Sequence, residues 1–295
     1  MIISNIIGGL GNQLFMYAAG RRLAQKHNTI LKLDISGYSY VEPSLEYNRY
    51  KLKHFNIIEG IATSEEIENI RGGKSRLNKT LGKYLPKRML PALKVSYVRE
   101  RKTQFDPDIL NLPDDIYLEG YWQSEKYFMD IREILLNEIT LKKGSDGMDN
   151  IIEEINEVNS VAIHVRRENF VTDPEVNRIL GAMDLDYYQR CMEYFVNSIN
   201  SPRFYVFTDD IGWAESNINS DYPVRIVSNP NKFKDYEEQY LMSLCKHQII
   251  PNSTFSWWGA WLNRNPDKII CAPKMWYRSS SRSSKDLIPK EWKRF

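Results

Sequence analysis

Two arginines in succession, Arg166 and Arg167, close the apolar run Val161–Val165. Each guanidinium is a planar, permanently charged fork that matches an anion carrying several oxygens. The other reading of the pair is a structural ion pair at a domain edge. His164 faces opposite to Val165 on the pleat. It is either a hydrogen-bonded core residue or a group touching a ligand. A second apolar run ends in FTDD, Phe207–Asp210. A carboxylate there can accept the paired N–H donors of a guanine edge, as Asp209 could, or cap the next helix.

Two further segments carry polar chemistry. In NSTFSWWGAWLN, Asn252–Asn263, the hydroxyls of Ser253, Thr254 and Ser256 sit in a turn that leads into a helix. Such a turn binds phosphate through hydroxyl oxygens and backbone amides. Trp257, Trp258 and Trp261 either pack that helix on the core or stack on a sugar. The other segment is GGLGNQ, Gly8–Gln13, where glycines let a backbone turn tightly and approach a ligand. Gly9 and Gly11 open a dinucleotide fingerprint, but Leu14 stands at its closing glycine, and no Gly-Lys-Ser/Thr follows. Asp106-Pro-Asp108 and Asp184-Leu-Asp186 are the two Asp-x-Asp strings that could hold a divalent ion. The first reads as a turn, and Asp186 reads as a helix N-cap.

The elements that must position these residues alternate. Ile2–Ile7 and Thr29–Asp34 read as strands flanking a helix in which Leu14, Phe15, Ala18, Ala19, Leu23 and Ala24 recur at helical spacing. Thr63 and Glu66 form a capping-box signal. Ile116–Trp122 reads as a strand and Glu125–Asn137 as a helix. After a polar break at Lys142–Asn150, strands are expected at Val161–Val165, Phe204–Thr208, Arg225–Val227, Gln248–Pro251 and Lys268–Ala272. Helices are expected at Asp186–Asn197 and Asp235–Lys246. This is an α/β chain, and its alternation implies parallel sheets with ligands at the carboxyl ends of strands.

Composition narrows the class. The chain has 295 residues, 40 Lys+Arg against 38 Asp+Glu, and 42% apolar residues. That suits about two globular domains and argues against a disordered chain. A net charge of +2 does not point to nucleic acid. No apolar run reaches the roughly 18–20 residues of a membrane span. The opening MIISNIIGGLGNQ has no basic n-region and is not read as a signal peptide. Cys191, Cys245 and Cys271 make no metal or disulfide spacing, so a reduced, cytoplasmic setting is expected. Arg71–Arg99 holds nine Lys/Arg and no acid. It is either a solvated face or a contact with an anionic membrane surface or a lipid-linked phosphate, which would add a peripheral location at the inner membrane face.

Taken together, GGLGNQLFMYAAGRRLA, GYWQSEKYF, HVRREN, FTDD and NSTFSWWGAW resemble glycosyltransferase family eleven, the α-1,2-fucosyltransferases. The resemblance implies a GT-B type fold: two Rossmann-like domains facing across a cleft. The N-terminal acceptor-side domain would span 1–145 and the C-terminal GDP-sugar-binding domain 146–295, with a last helix able to pack back on the first domain. It implies GDP-fucose as donor, no metal and no other cofactor, and inversion at the anomeric carbon. The acceptor would be a galactose-terminated oligosaccharide, as in O-antigen or other surface glycans. Arg166 would contact the diphosphate, with Arg167 beside it. His164 would lie near the nucleotide, Asp209 would contact guanine, and Asn252, Ser253, Thr254, Phe255 and Ser256 would form the phosphate turn. Gly9, Gly11, Asn12 and Gln13 would line the donor from the other domain. The chain departs from the usual His-x-Arg-Arg-Gly-Asp by carrying Glu168-Asn169, so either Asn169 fixes the arginines as a neutral acceptor or Glu168 does. Asp173, Glu175 and Glu168 are the candidates for a base that takes the acceptor proton. A different GDP-sugar, or an inactive binding relative, is the alternative.

Overall fold

The computed structural model describes residues 1–40, 49–71, 84, 86, 89, 96–279 and 282–295. Most of the basic segment, including Lys83, Lys87 and Arg88, lies outside the described residues. The chain forms two compact units. One comprises Met1–Thr140 with Lys285–Leu287; the other comprises Leu141–Ser284 with Ile288–Phe295.

The first unit is built on the sheet β2-β1-β4-β3, parallel throughout: β1 Ile2–Asn5, β2 Leu31–Asp34, β3 Tyr97–Arg99 and β4 Ile116–Glu119. Ile2 and Ile3 are wholly buried, as an inner strand of a parallel sheet requires. The helix Leu10–His27 crosses over to β2 and lies close to the sheet. Ser4 Oγ donates to Met16 O at 2.8 Å, and a Cβ on Gly20 would stand 3.0 Å from Ser4 Cβ and from Leu31 Cδ1. Asn28 ends the helix in the left-handed region, φ +48°. The capping box forms as expected: Glu66 N donates to Thr63 Oγ1, and Thr63 N to the Glu66 carboxylate.

The second unit carries β5 Asn159–Val165, β6 Pro202–Thr208, β7 Val224–Ile226, β8 His247–Ile249, β9 Ile270–Ala272 and β10 Lys293–Arg294. They pair in parallel in the order β10-β9-β8-β5-β6-β7. The chain steps outward from β5 to β7 on one side, then returns to β8 and runs out the other way. The switch point therefore falls between the carboxyl ends of β5 and β8.

Three expectations are corrected. The strand at 116 stops at Glu119, and Trp122, expected to be its last residue, takes a left-handed backbone, φ +54°. The helix from Glu125 is interrupted where Phe128 leaves helical geometry and buries its ring 6.0 Å from Phe15; the continuous helix is Arg132–Glu138. The chain ends in β10, not a helix, with Trp292 against Trp257 and Phe295 against Tyr194. No helix among the described residues is long and apolar enough to cross a membrane.

Candidate functional site

The polar residues of the second unit gather where β5, β6 and β8 end. The β5 chain emerges from a fully buried run and delivers Arg166, whose side chain is only 13% exposed. Its guanidinium is held on two edges: NH1 lies 2.8 Å from Asp209 Oδ2, and NH2 donates to Asn169 Oδ1 at 2.7 Å. Glu168 stands 3.9 Å off with a largely exposed side chain. Asn169, a neutral acceptor, therefore does the fixing, not Glu168.

Arg167 is placed differently. Its backbone N–H donates to Asp209 Oδ1 at 2.8 Å, its Nε to Asp210 Oδ2 at 3.1 Å, and its guanidinium lies 4.3 Å from the Trp213 ring centre. Asp210 caps the helix Ile211–Asn217 by accepting from Trp213 N. The two aspartates of FTDD thus divide: Asp210 caps, and Asp209 binds both arginines.

His164 is buried, its ring 5.2 Å from that of Phe255. Burial, with the Arg166 charge adding to it, lowers its pKa to about 3, so the imidazole is neutral in ordinary buffers. Beside β8, Asn252 is taken up structurally. Its Nδ2 reaches the carbonyls of Leu180, Gly181 and Trp276 at 3.0–3.1 Å. Ser256 is wholly buried and donates to Ser253 O. Of the three hydroxyls in the turn, Thr254 alone is partly exposed, at the start of the helix Thr254–Trp261 whose first amides have no intrahelical acceptor. Trp257, Trp258 and Trp261 are buried, which settles them as packing.

The remaining expected residues are engaged in other contacts. Asp173 accepts from Glu175 N and Val176 N as the cap of the helix Pro174–Ile179. Glu175 is largely exposed and paired with Arg178. The Asp-x-Asp strings are also caps: Asp106 for the 3-10 turn Pro107–Asn111, and Asp184, not Asp186, for the helix Leu185–Ser198. Asp186 pairs instead with Arg190. In the first unit, Gly9 and Gly11 are buried. Gln13 is wholly enclosed: its Nε2 donates to Gly8 O and Arg49 O, and its Oε1 accepts from Lys51 N. Asn12 is half-buried and accepts from Gln123.

One group escaped the sequence reading. Glu238, in the helix Asp235–Leu244, accepts from Ser228 Oγ at 2.8 Å, and Ser228 Oγ accepts from Thr208 N at 2.7 Å. Burial, with Asp235 and Asp209 nearby, pushes its carboxyl up to about 7. The only signal was an acid on the inner side of an amphipathic helix.

The arrangement offers one multidentate cation held on two edges, a buried neutral imidazole two residues before it, and a helix start at the neighbouring strand end. Comparison with known proteins gives the family and the fold. Residues 61–295 match the family model described as Glycosyl transferase family 11. An Alpha-1,2-colitosyltransferase of Escherichia coli is 30% identical over 100% of this chain and 98% of its own. A Galactoside 2-alpha-L-fucosyltransferase SEC1 of Bos taurus is 27% identical over 50% of this chain and 42% of that protein. Among solved structures, a mutant of Arabidopsis thaliana FUT1 in complex with GDP superposes with a TM-score of 0.54 at 13% identity, over 99% of this chain and 75% of that one. That likeness concerns the fold alone, GT-B type with two Rossmann-like units.

Proposed function

The chain belongs to glycosyl transferase family 11, and we propose that it moves L-fucose from GDP-fucose to the 2-hydroxyl of a terminal β-galactoside, with inversion and without a metal ion. The observation that carries the reading is the two-edged grip on Arg166 at the carboxyl end of β5. Breaking the sugar–diphosphate bond builds negative charge on the leaving phosphate while the sugar becomes oxocarbenium-like. Donors already fixed in place lower that barrier most, because none must reorganise as the charge appears. Arg166 supplies the permanent charge, and the amides at Thr254–Ser256 with the Thr254 hydroxyl supply hydrogen bonds. His164, neutral, adds no second charge near the cation. In this reading Asp209 is the counter-ion that aims Arg166, and a base, if one acts, is drawn from Glu168, Asp173 and Glu175.

A second donor is favoured by one finding, the full-length likeness to a colitosyltransferase. Colitose is fucose without its 3-hydroxyl, so the same diphosphate chemistry serves both. The test is a donor panel, GDP-fucose, GDP-colitose and GDP-mannose, each with lactose and excess chelator, followed by GDP release and product linkage. GDP-fucose should give the fastest release, with 2-linked product. Preference for GDP-colitose would move the assignment to that sugar. Loss of activity to the chelator would overturn the metal-free mechanism, and no transfer from any donor would overturn the enzyme reading.

A further inference from the structure

We propose that Glu238 is a positioning residue of the transfer site: through Ser228 and the amide of Thr208 it fixes the end of β6, and with it the Asp209 carboxylate that aims Arg166; this rests on the glycosyl-transfer reading above. The acid beside it has a different task. Glu237 accepts from Ser145 N at 2.6 Å and from Lys234 N at 2.8 Å, which ties the start of its helix to the loop before Met148. The contacts of Glu238 are instead with Ser228 and the Asn229 backbone, just after β7, and lead from there to β6.

Each link in that path is short. Past the paired residues of β6 and β7, Val227 N still donates to Val206 O at 2.8 Å. The next β6 amide in line, Thr208 N, has a side chain for its acceptor, Ser228 Oγ at 2.7 Å. The Ser228 hydroxyl in turn donates to Glu238 Oε2 at 2.8 Å. Thr208 and Ser228 are both buried, so losing this acceptor would leave a buried amide unpaired. A hydroxyl carries one proton and can turn; the Glu238 carboxyl holds that proton and keeps a lone pair on Thr208 N. The residue after Thr208 is Asp209. Its Oδ1 accepts from Arg167 N and its Oδ2 lies against Arg166 NH1, both at 2.8 Å. Any shift of the β6 end therefore moves the grip on Arg166.

The charge on Glu238 matters as much as its place. Burial opposes its ionisation most, and the two charges that add to this are Asp235, on its own helix, and Asp209, at the end of β6. Two helices pack against Asp235–Leu244. Thr254–Trp261 carries no charged residue, and Met148–Glu157 brings Met148, Ile151 and Ile155 to the shared core. Ionised, Glu238 would add a second negative charge near Asp209 and offset the field of Arg166 at a phosphate. Neutral, it accepts from Ser228 without that cost. The neutral acid is therefore the form that serves transfer, and an anionic diphosphate bound at Arg166 favours the same form.

The experiment follows kcat/KM of the full chain for GDP-fucose, with lactose, from pH 6.5 to 8.5, alongside the GDP Kd by calorimetry. The donor's diphosphate is esterified at both ends and does not titrate in that interval, whereas the Glu238 carboxyl does, at about 7. Wild type should lose about tenfold in kcat/KM across it. Glu238→Gln, which keeps a neutral acceptor for Ser228, should stay within about threefold of the wild-type value at pH 6.5 and hold it to pH 8.5. Glu238→Leu and Ser228→Ala, which cut the path, should each lose about tenfold already at pH 6.5. The GDP Kd of wild type relative to Glu238→Gln should rise about tenfold over the interval, the titration of GDP itself being common to both. A glutamine variant that keeps the wild-type alkaline fall would overturn the proposal. So would a glutamine variant as poor as the leucine one, which would put a required negative charge at 238, or a leucine variant within about twofold of wild type. If the leucine variant does not fold, the glutamine profile decides. Wild type that releases GDP from no sugar nucleotide would sink the transferase reading, and the ratio of GDP Kd values would still decide the role of Glu238.

Discussion

Arg166 has its two terminal nitrogens held by different partners from different strand ends, Asn169 just after β5 and Asp209 just after β6. That division predicts distinct outcomes for neighbouring substitutions. Arg166→Ala removes the charge facing the leaving phosphate and should lower kcat/KM by at least about a hundredfold. Arg166→Lys should be nearly as poor, because an ammonium is a point charge that cannot be gripped on two edges while presenting a third. Near-normal turnover of the lysine variant would remove the orientation argument. Asn169→Asp should stay active, since it keeps the acceptor oxygen, whereas Asn169→Leu should lower kcat and leave the melting temperature within a few degrees. The paired arginines were legible from residue type and position after an apolar run. Their unequal environments were not, because Asp209 lies 43 positions after Arg166 and only the parallel register of β5 and β6 brings it alongside.

At the scale of elements, the strands were readable as short apolar runs, and the buried tryptophans as one face of a helix. Helix starts were less secure. Asp184 caps where Asp186 was expected, because two acids two residues apart satisfy the same local rule and packing chooses between them. The GGLGNQ loop shows the same limit. Its residue types suit a ligand, yet Gln13 binds three backbone groups and ties the start of the Leu10–His27 helix to residues 49–51. Gln13→Ala should therefore cost about 2–4 kcal/mol of stability by leaving buried polar groups unpaired. Gln13→Glu, though isosteric, should cost more at pH 8, because an acceptor-only carboxylate would face the carbonyls of Gly8 and Arg49. Urea unfolding of the two variants against wild type ranks them. A Glu variant as stable as wild type would show that the amide donors are dispensable.

Across the whole molecule, two groups of the second unit, His164 buried and Glu238 partly buried, give the pH dependence of stability opposite signs, and neither was visible in sequence because desolvation produces both. His164 titrates near 6.5 when unfolded and near 3 when folded. Between those values the unfolded chain binds the extra proton, so this group makes stability rise with pH by about 1.4 kcal/mol per unit. Glu238 titrates near 4.5 when unfolded and near 7 when folded. Here the folded chain binds the extra proton, so stability falls with rising pH by the same amount per unit. The two contributions overlap from pH 4.5 to 6.5 and cancel there. His164→Phe leaves only the Glu238 contribution, and relative to wild type its stability should decline as pH rises through that interval. Glu238→Gln leaves only the histidine, and its stability should climb instead. Denaturant unfolding of wild type and both variants at pH 4.8, 5.6 and 6.4 reads the difference, with all other groups common to the three proteins. Parallel pH profiles for the two variants would mean that these side chains titrate normally in the fold, and with them would go the neutral imidazole of His164.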